Sequence, residues 1–135
     1  MTMRAVSKVG MKPIGQAAYH FAAMHGTRFS VVTTLEVSVP ILSKNIESYG
    51  LSAQCARVRA SGVEVLALEQ SPDEANATVL AEVQRAEQED KISSIALGCG
   101  SMVHLLRLIR ENTSLHPIDG VRAATAFCRS WVASF

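Results

Sequence analysis

The 135-residue sequence has no long apolar run, few aromatic residues and no dominant sign of charge. Each absence excludes a class of protein. No segment approaches the roughly 20 consecutive apolar residues of a membrane-spanning helix, so no membrane partner is expected. The opening Met1-Thr2-Met3-Arg4-Ala5-Val6-Ser7-Lys8 lacks the apolar centre of a secretory leader, and a cytoplasmic location is expected. The formal net charge is +1 with both signs interspersed. That leaves no clustered basic face for a nucleic acid. Cysteine is scarce: Cys55, Cys99 and Cys128 are odd in number and widely spaced. No Cys-x-x-Cys pair and no Cys/His grouping has zinc-ligand spacing, so no metal site is expected, and reduced thiols suit a reducing compartment.

What is present is enough for one packed domain. Hydrophobic residues make up 48% of the chain and charged residues 19%, a globular composition. Residues 1–12 show little pattern. A helix carrying Ala17, Ala18, Phe21, Ala22 and Met24 ends at Gly26. Arg28 to Thr34 is a β-branched strand. Thr34–Ser38 opens a helix with Pro40 in its first turn, its stripe being Val39, Leu42, Ile46 and Tyr49. Cys55–Arg59 reads as a short strand and Val63–Leu68 as a better one. Ser71-Pro72-Asp73-Glu74 is a helix start in which Ser71 and Glu74 form a capping box, followed by the stripe Ala75, Val79, Val83, Ala86. A strand over 92–97 comes next, then a helix over 102–111, a short strand or loop at Pro117–Asp119, and a last helix with Val121, Ala124, Cys128 and Trp131 on one stripe. Strands alternating with helices imply an α/β fold: a mostly parallel sheet with helices on both faces.

The most informative stretch is Leu97-Gly98-Cys99-Gly100-Ser101-Met102. An apolar run ends in a cysteine between two glycines, and Met102, Leu105, Leu106 and Ile109 then recur at helical spacing. Cys99 is thereby expected at the carboxyl end of a strand, where α/β folds place ligands. A following helix amino terminus favours thiolate over thiol. The alternative is a space-filling cysteine, since free cysteine is often simply buried. Cys55 and Cys128 read as core residues, Asp119-Gly120 as a turn, and His104 as a surface-helix histidine near the Cys99 turn.

Several segments together resemble the second half of the hydantoin/allantoin racemase family, within the aspartate/glutamate racemase superfamily. They are Arg28-Phe29-Ser30-Val31-Val32-Thr33-Thr34-Leu35-Glu36, Ser38-Val39-Pro40, Val65-Leu66-Ala67-Leu68-Glu69, Leu97-Gly98-Cys99-Gly100-Ser101-Met102 and Pro117-Ile118-Asp119-Gly120-Val121. The resemblance runs from about Pro13 to the end. It implies one lobe of a two-lobed racemase fold: residues 1–119 as the lobe, with 1–12 an irregular junction, and 120–135 as a helix that packs on the first lobe. It also implies a cofactor-independent isomerase acting on a hydantoin, allantoin or related amide. In that family one thiolate removes a proton beside a carbonyl and a thiol on the opposite face returns one.

Cys99 aligns with one of the two cysteines. By the same resemblance, Thr33 and Thr34 hold the ligand's carbonyl or carboxylate groups, and Gly98, Gly100 and Ser101 supply backbone N–H groups. The Asn-Pro-Asn-Thr-type segment and the first cysteine with its Gly-Asp-Pro-Gly-type turn do not occur here. Gly100 stands where alanine is usual, and Ser101 where glycine is. The chain alone is therefore expected to be inactive or weak. Half of a split enzyme, or a non-catalytic ligand-binding remnant, are the competing readings. Apolar residues left on the last helix make a homo-oligomer the expected assembly.

Overall fold

A computed structural model of the chain describes residues 13–98 and 100–134. Helix α1 (Pro13–Met24) leads into β1 (Phe29–Thr33), a 3-10 turn (Glu36–Ser38) and α2 (Val39–Ser48). Strand β2 (Cys55–Ala60) is followed by α3 (Val65–Gln70) and α4 (Pro72–Glu89). Strand β3 (Ser94–Leu97) passes through a 3-10 segment (Gly100–Leu105) into α5 (Leu106–Asn112). Strand β4 (His116–Ile118) and α6 (Gly120–Ala133) complete the chain. The four strands form one all-parallel sheet in the order β2-β1-β3-β4.

Strand alternation divides the core in two. Phe29, Val31, Ala96 and Ile118 face one layer, packed with Ala17, Tyr19 and Ala22 of α1, Ile46 of α2, and Ala123 and Ala124 of α6. Val32 and Ile95 face the other, with Val79 and Val83 of α4, Met102 and Leu105 of the 3-10 segment, and Ile109 of α5. The central strand β1 is buried along its whole length, as a parallel sheet covered on both faces requires. The expected arrangement, parallel strands with helices on both faces, is the observed one.

Three local readings change. Val63–Leu68 is not a strand: α3 occupies Val65–Gln70. Leu, Ala, Glu and Gln are strong helix formers, and Val63 and Leu68 are buried with Ala67 packed beside them, leaving Val65 and Leu66 exposed. Ser71 starts α4 but makes no side-chain capping bond. It also terminates α3, which holds it at φ −135°, ψ 63°, away from the extended geometry of a capping serine. The helix expected over 102–111 begins instead as 3-10 turns and becomes α-helical only at Leu106. Its apolar stripe is as read, with Met102, Leu105, Leu106 and Ile109 all buried.

Helix α6 packs against α1 of the same chain. Phe127 meets Phe21 edge-on at 5.0 Å between ring centroids. Its inward residues are Ala123, Ala124 and Cys128, with Phe127 alongside, whereas Val121 and Trp131 from the expected stripe are exposed.

Candidate active site

The strand order creates a crevice. From β1 the chain moves outward to β2 through α2 on one face, then crosses back to β3 through α4 on the other. The carboxyl ends of β1 and β3 are thus the point where the winding reverses, the usual ligand position in an open α/β sheet.

Thr33 ends β1 and Thr34 follows it, and both are buried. Their backbones are held from the β2 side. The Ser61 N–H donates to the Thr33 carbonyl at 2.9 Å and the Gly62 N–H to the Thr34 carbonyl at 2.8 Å. Gly62 takes φ +78° there, a left-handed conformation natural to glycine. Among the described residues neither threonine hydroxyl makes a hydrogen bond, so both are free to meet a ligand.

Gly98 closes the crevice from β3. Its N–H donates to the Val32 carbonyl at 2.8 Å, extending the sheet ladder. A Cβ at this position would stand 2.9 Å from Thr33 Cβ and 2.9 Å from Leu42 Cδ1. The expectation that Gly98 offers its N–H to a ligand is therefore corrected: that group is consumed by the sheet, and the residue's contribution is close approach. Gly100 and Ser101 lie in the backbone of the 3-10 segment that leaves the crevice. Cys99, the expected catalytic residue, lies outside the described residues.

The other cysteines sit elsewhere. Cys55 begins β2, at the amino end of the sheet and away from the crevice, and burial pushes its thiol up to about 11, with Arg57 and Arg28 opposing. Cys128 is buried on α6. His104 is exposed and pairs through Nε2 with Asn76 Oδ1 at 2.9 Å. Asp119 is not merely a turn residue: its carboxylate accepts the N–H groups of Val121 and Arg122, both at 3.1 Å, and caps α6.

Sequence reasoning passed over Ser61 and Gly62, and read Leu42 as a core residue without its contact at the crevice. The Ser-Gly pair after a strand was the available signal for the first two. For the Leu42 contact with Gly98 there was none, because it joins segments far apart in sequence. Between the end of β2 and α4 runs a groove of about 520 Å³ lined by Glu36, Ser61, Gly62, Glu74, Thr78 and Arg85, among others. No group of three or more metal-ligating side chains occurs among the described residues, nor does a helix long and apolar enough to cross a membrane.

Comparison with known proteins places this geometry. A family model described as Asp/Glu/Hydantoin racemase matches residues 2–128. A hydantoin racemase of Rhizobium meliloti is 41% identical over 121 residues, covering 90% of this chain and 50% of that protein. A hydantoin racemase of Pseudomonas sp. (strain NS671) is 30% identical over 133 residues, covering 96% of this chain and 53% of that protein. The crystal structure of allantoin racemase from Pseudomonas fluorescens superimposes with a TM-score of 0.85 at 41% identity, covering 89% of this chain and 51% of that one. The allantoin racemase from Klebsiella pneumoniae gives 0.83 at 38% identity, covering 89% and 49%. The chain spans about half the length of the curated relatives it matches.

Proposed function

The chain belongs to the Asp/Glu/hydantoin racemase family, and from that premise we propose that it is a racemase-type lobe acting on a hydantoin, allantoin or related small amide. The observation that carries this reading is the crevice itself: two buried threonines whose hydroxyls bond no described residue stand at the end of β1, and the first of them, Thr33, meets a glycine that leaves no room for a side chain. In this proposal Cys99, in the turn between Gly98 and Gly100, exchanges the proton on the carbon beside the ligand carbonyl. The C–H bond breaks, its proton passes to the sulfur, and its electron pair moves into the adjacent carbonyl as an enolate. Thr33 and Thr34 hydroxyls, with the backbone N–H groups of Gly100 and Ser101, hold the oxygens that gain charge. No cofactor takes part.

Inversion needs a second acid on the opposite face. The chain by itself is accordingly weak or inactive as a racemase. In a second reading, a separate chain supplies a first lobe and its cysteine. Residues 1–119 form the lobe in this proposal, and 120–135 is the helix that offers an outer face, with Val121 and Val132 exposed, to another lobe. Self-association and a cytoplasmic location belong to the same proposal.

Proton exchange tests it. The purified chain is incubated in deuterium oxide with single enantiomers of a 5-substituted hydantoin and of allantoin. NMR then follows the carbon-bound proton, and polarimetry follows the optical rotation. Exchange of the carbon-bound proton faster than the buffer blank, abolished in Cys99→Ala, is the expected result. Exchange unchanged in Cys99→Ala, or none above the blank for either compound, would overturn the assignment.

A further inference from the structure

The amino end of the sheet, opposite the crevice, carries a pair of exposed histidines. His25 follows α1 and His116 opens β4. Their rings lie one on the other, 3.9 Å between centroids and 6° from parallel. Strand β3 holds both in place. His25 Nδ1 stands 3.3 Å from Ser94 Oγ, and the Ser93 and Ser94 hydroxyls donate to the His25 carbonyl at 3.1 and 3.0 Å. The His116 N–H donates to the Ser93 carbonyl at 3.0 Å. Among the described residues, nothing bonds Nε2 of His25 or either ring nitrogen of His116.

The uncommitted charge around the pair has one sign. Burial, then the positive charges of His25 and of Arg110 in the last turn of α5, disfavour protonation of His116. Arg28 and Lys91 stand exposed in the turns before β1 and β3. Carboxylates of the surrounding elements are committed elsewhere. Glu111 of α5 pairs with Arg107 at 2.8 Å, Glu87 of α4 accepts the Ser114 N–H at 2.8 Å, and Asp90 is held by Arg59 at 2.6 Å. Helix α1 and strand β3 contain no carboxylate.

We infer that the stacked edges of His25 and His116, with Arg110, form a binding site for a small oxyanion, a carboxylate or a phosphate. The oxygens of such a group lie closer together than the two rings do. An N–H at each ring edge therefore reaches its own oxygen with a slight tilt, at the length of a charge-assisted bond, about 2.7–2.9 Å. A metal ion is the wrong guest. Stacked rings hold their lone pairs parallel, and an ion at about 2.0–2.1 Å from a nitrogen of each would sit between the planes, where neither lone pair points. No third histidine, cysteine or carboxylate joins the pair as a ligand among the described residues. Two imidazolium rings this close repel each other, and an anion across their edges offsets that repulsion. Proton and anion thus favour each other's binding, so the site tightens as pH falls through the histidine range. Occupied, it ties the end of α1 to the start of β4. It stands apart from Thr33, Thr34 and Gly98 and does not rest on the function proposed above.

An NMR titration of the whole chain tests the inference, reading the carbon-bound Hε1 of each histidine in chloride, acetate and phosphate at equal ionic strength. In chloride, which cannot span two ring edges, His116 is expected to titrate below 6.5. Saturating phosphate is expected to move its midpoint above that value and to leave those of His20 and His104 in place. His25→Gln abolishes the phosphate effect on His116. Arg110→Gln, which leaves the stack intact, weakens phosphate binding at least about tenfold. It keeps the test readable whatever the histidine variant does to stability. A His116 midpoint that is the same in phosphate as in chloride would overturn the proposal. So would an equal movement of His20 and His104, which is general screening, or a phosphate effect that survives in both variants. A response to acetate as well as phosphate supports the site and includes carboxylates among its ligands; a response to phosphate alone supports it and restricts it to phosphates.

Discussion

The guanidinium of Arg59 grips the carboxylate of Asp90 with two hydrogen bonds, Nε to Oδ2 at 2.8 Å and Nη2 to Oδ1 at 2.6 Å. Both side chains are almost fully buried. The remaining donors reach Glu82 at 3.0 Å and Glu89 at 2.7 Å, and the Ser30 hydroxyl donates to Asp90 Oδ2 at 2.7 Å. One residue of the edge strand β2 thus ties the carboxyl end of α4 to the sheet.

Breaking that fork destabilises the fold. Removing one partner of a buried ion pair strands the other without compensation, typically about 3–5 kcal/mol. Arg59→Met is expected to cost that much in urea unfolding, and a loss of a few tenths would refute a structural role for the cluster. The pH dependence has a defined sign. Burial pushes the Asp90 carboxyl up, but hydrogen bonds from Arg59 and Ser30, with the charges of Arg59 and Arg57, bring it below the ordinary 3.8. Its contribution is therefore complete above that value and is lost as pH falls through the depressed one. Asp90→Asn removes this part of the acid-induced loss.

A second titration acts near neutrality. His25 and His116 stack face to face, 3.9 Å between centroids and 6° between planes. Burial, then the charges of His25 and Arg110, hold His116 below the ordinary histidine value of 6.5. The unfolded chain binds the proton more readily, so this stabilisation is full above 6.5 and is lost as pH falls through the lowered value. His116→Gln flattens the stability profile across that window. An unchanged profile in the variant would refute it.

Gly98→Ala tests the crevice by volume alone. The added methyl meets the fixed Thr33 Cβ as well as the movable Leu42 side chain. Overpacking of this kind costs about 1–3 kcal/mol, read as a fall in melting temperature. An alanine variant as stable as the parent would show that the two strand ends have room to separate.

Alkylation with limiting iodoacetamide at neutral pH, mapped by mass spectrometry, is expected to label Cys99 first. Cys55, pushed up to about 11, holds almost no thiolate there. Cys128 is buried. Preferential labelling of either in the folded protein would count against Cys99 as the reactive thiol.

The sequence by itself determined the architecture and the neighbourhood of the site. Period-2 and period-3.6 patterns, with Pro40 and Pro72 at helix starts, specify alternating strands and helices, because each pattern must bury its own apolar face. Thr33, Thr34 and Gly98 were legible as strand-end residues for the same reason. Tertiary structure decided what local pattern leaves open. Val63–Leu68 reads as an apolar strand yet turns helical from Val65, because Leu68, with Ala67 beside it, enters the core while Val65 and Leu66 stay outside. Gly98 reads as a donor yet gives its N–H to Val32, because β1 lies beside β3. The inward face of α6 is set by where α1 lies, and the Arg59–Asp90 fork joins residues far apart in the chain. Strand order and helix docking arise from long-range burial, which no short window of sequence encodes.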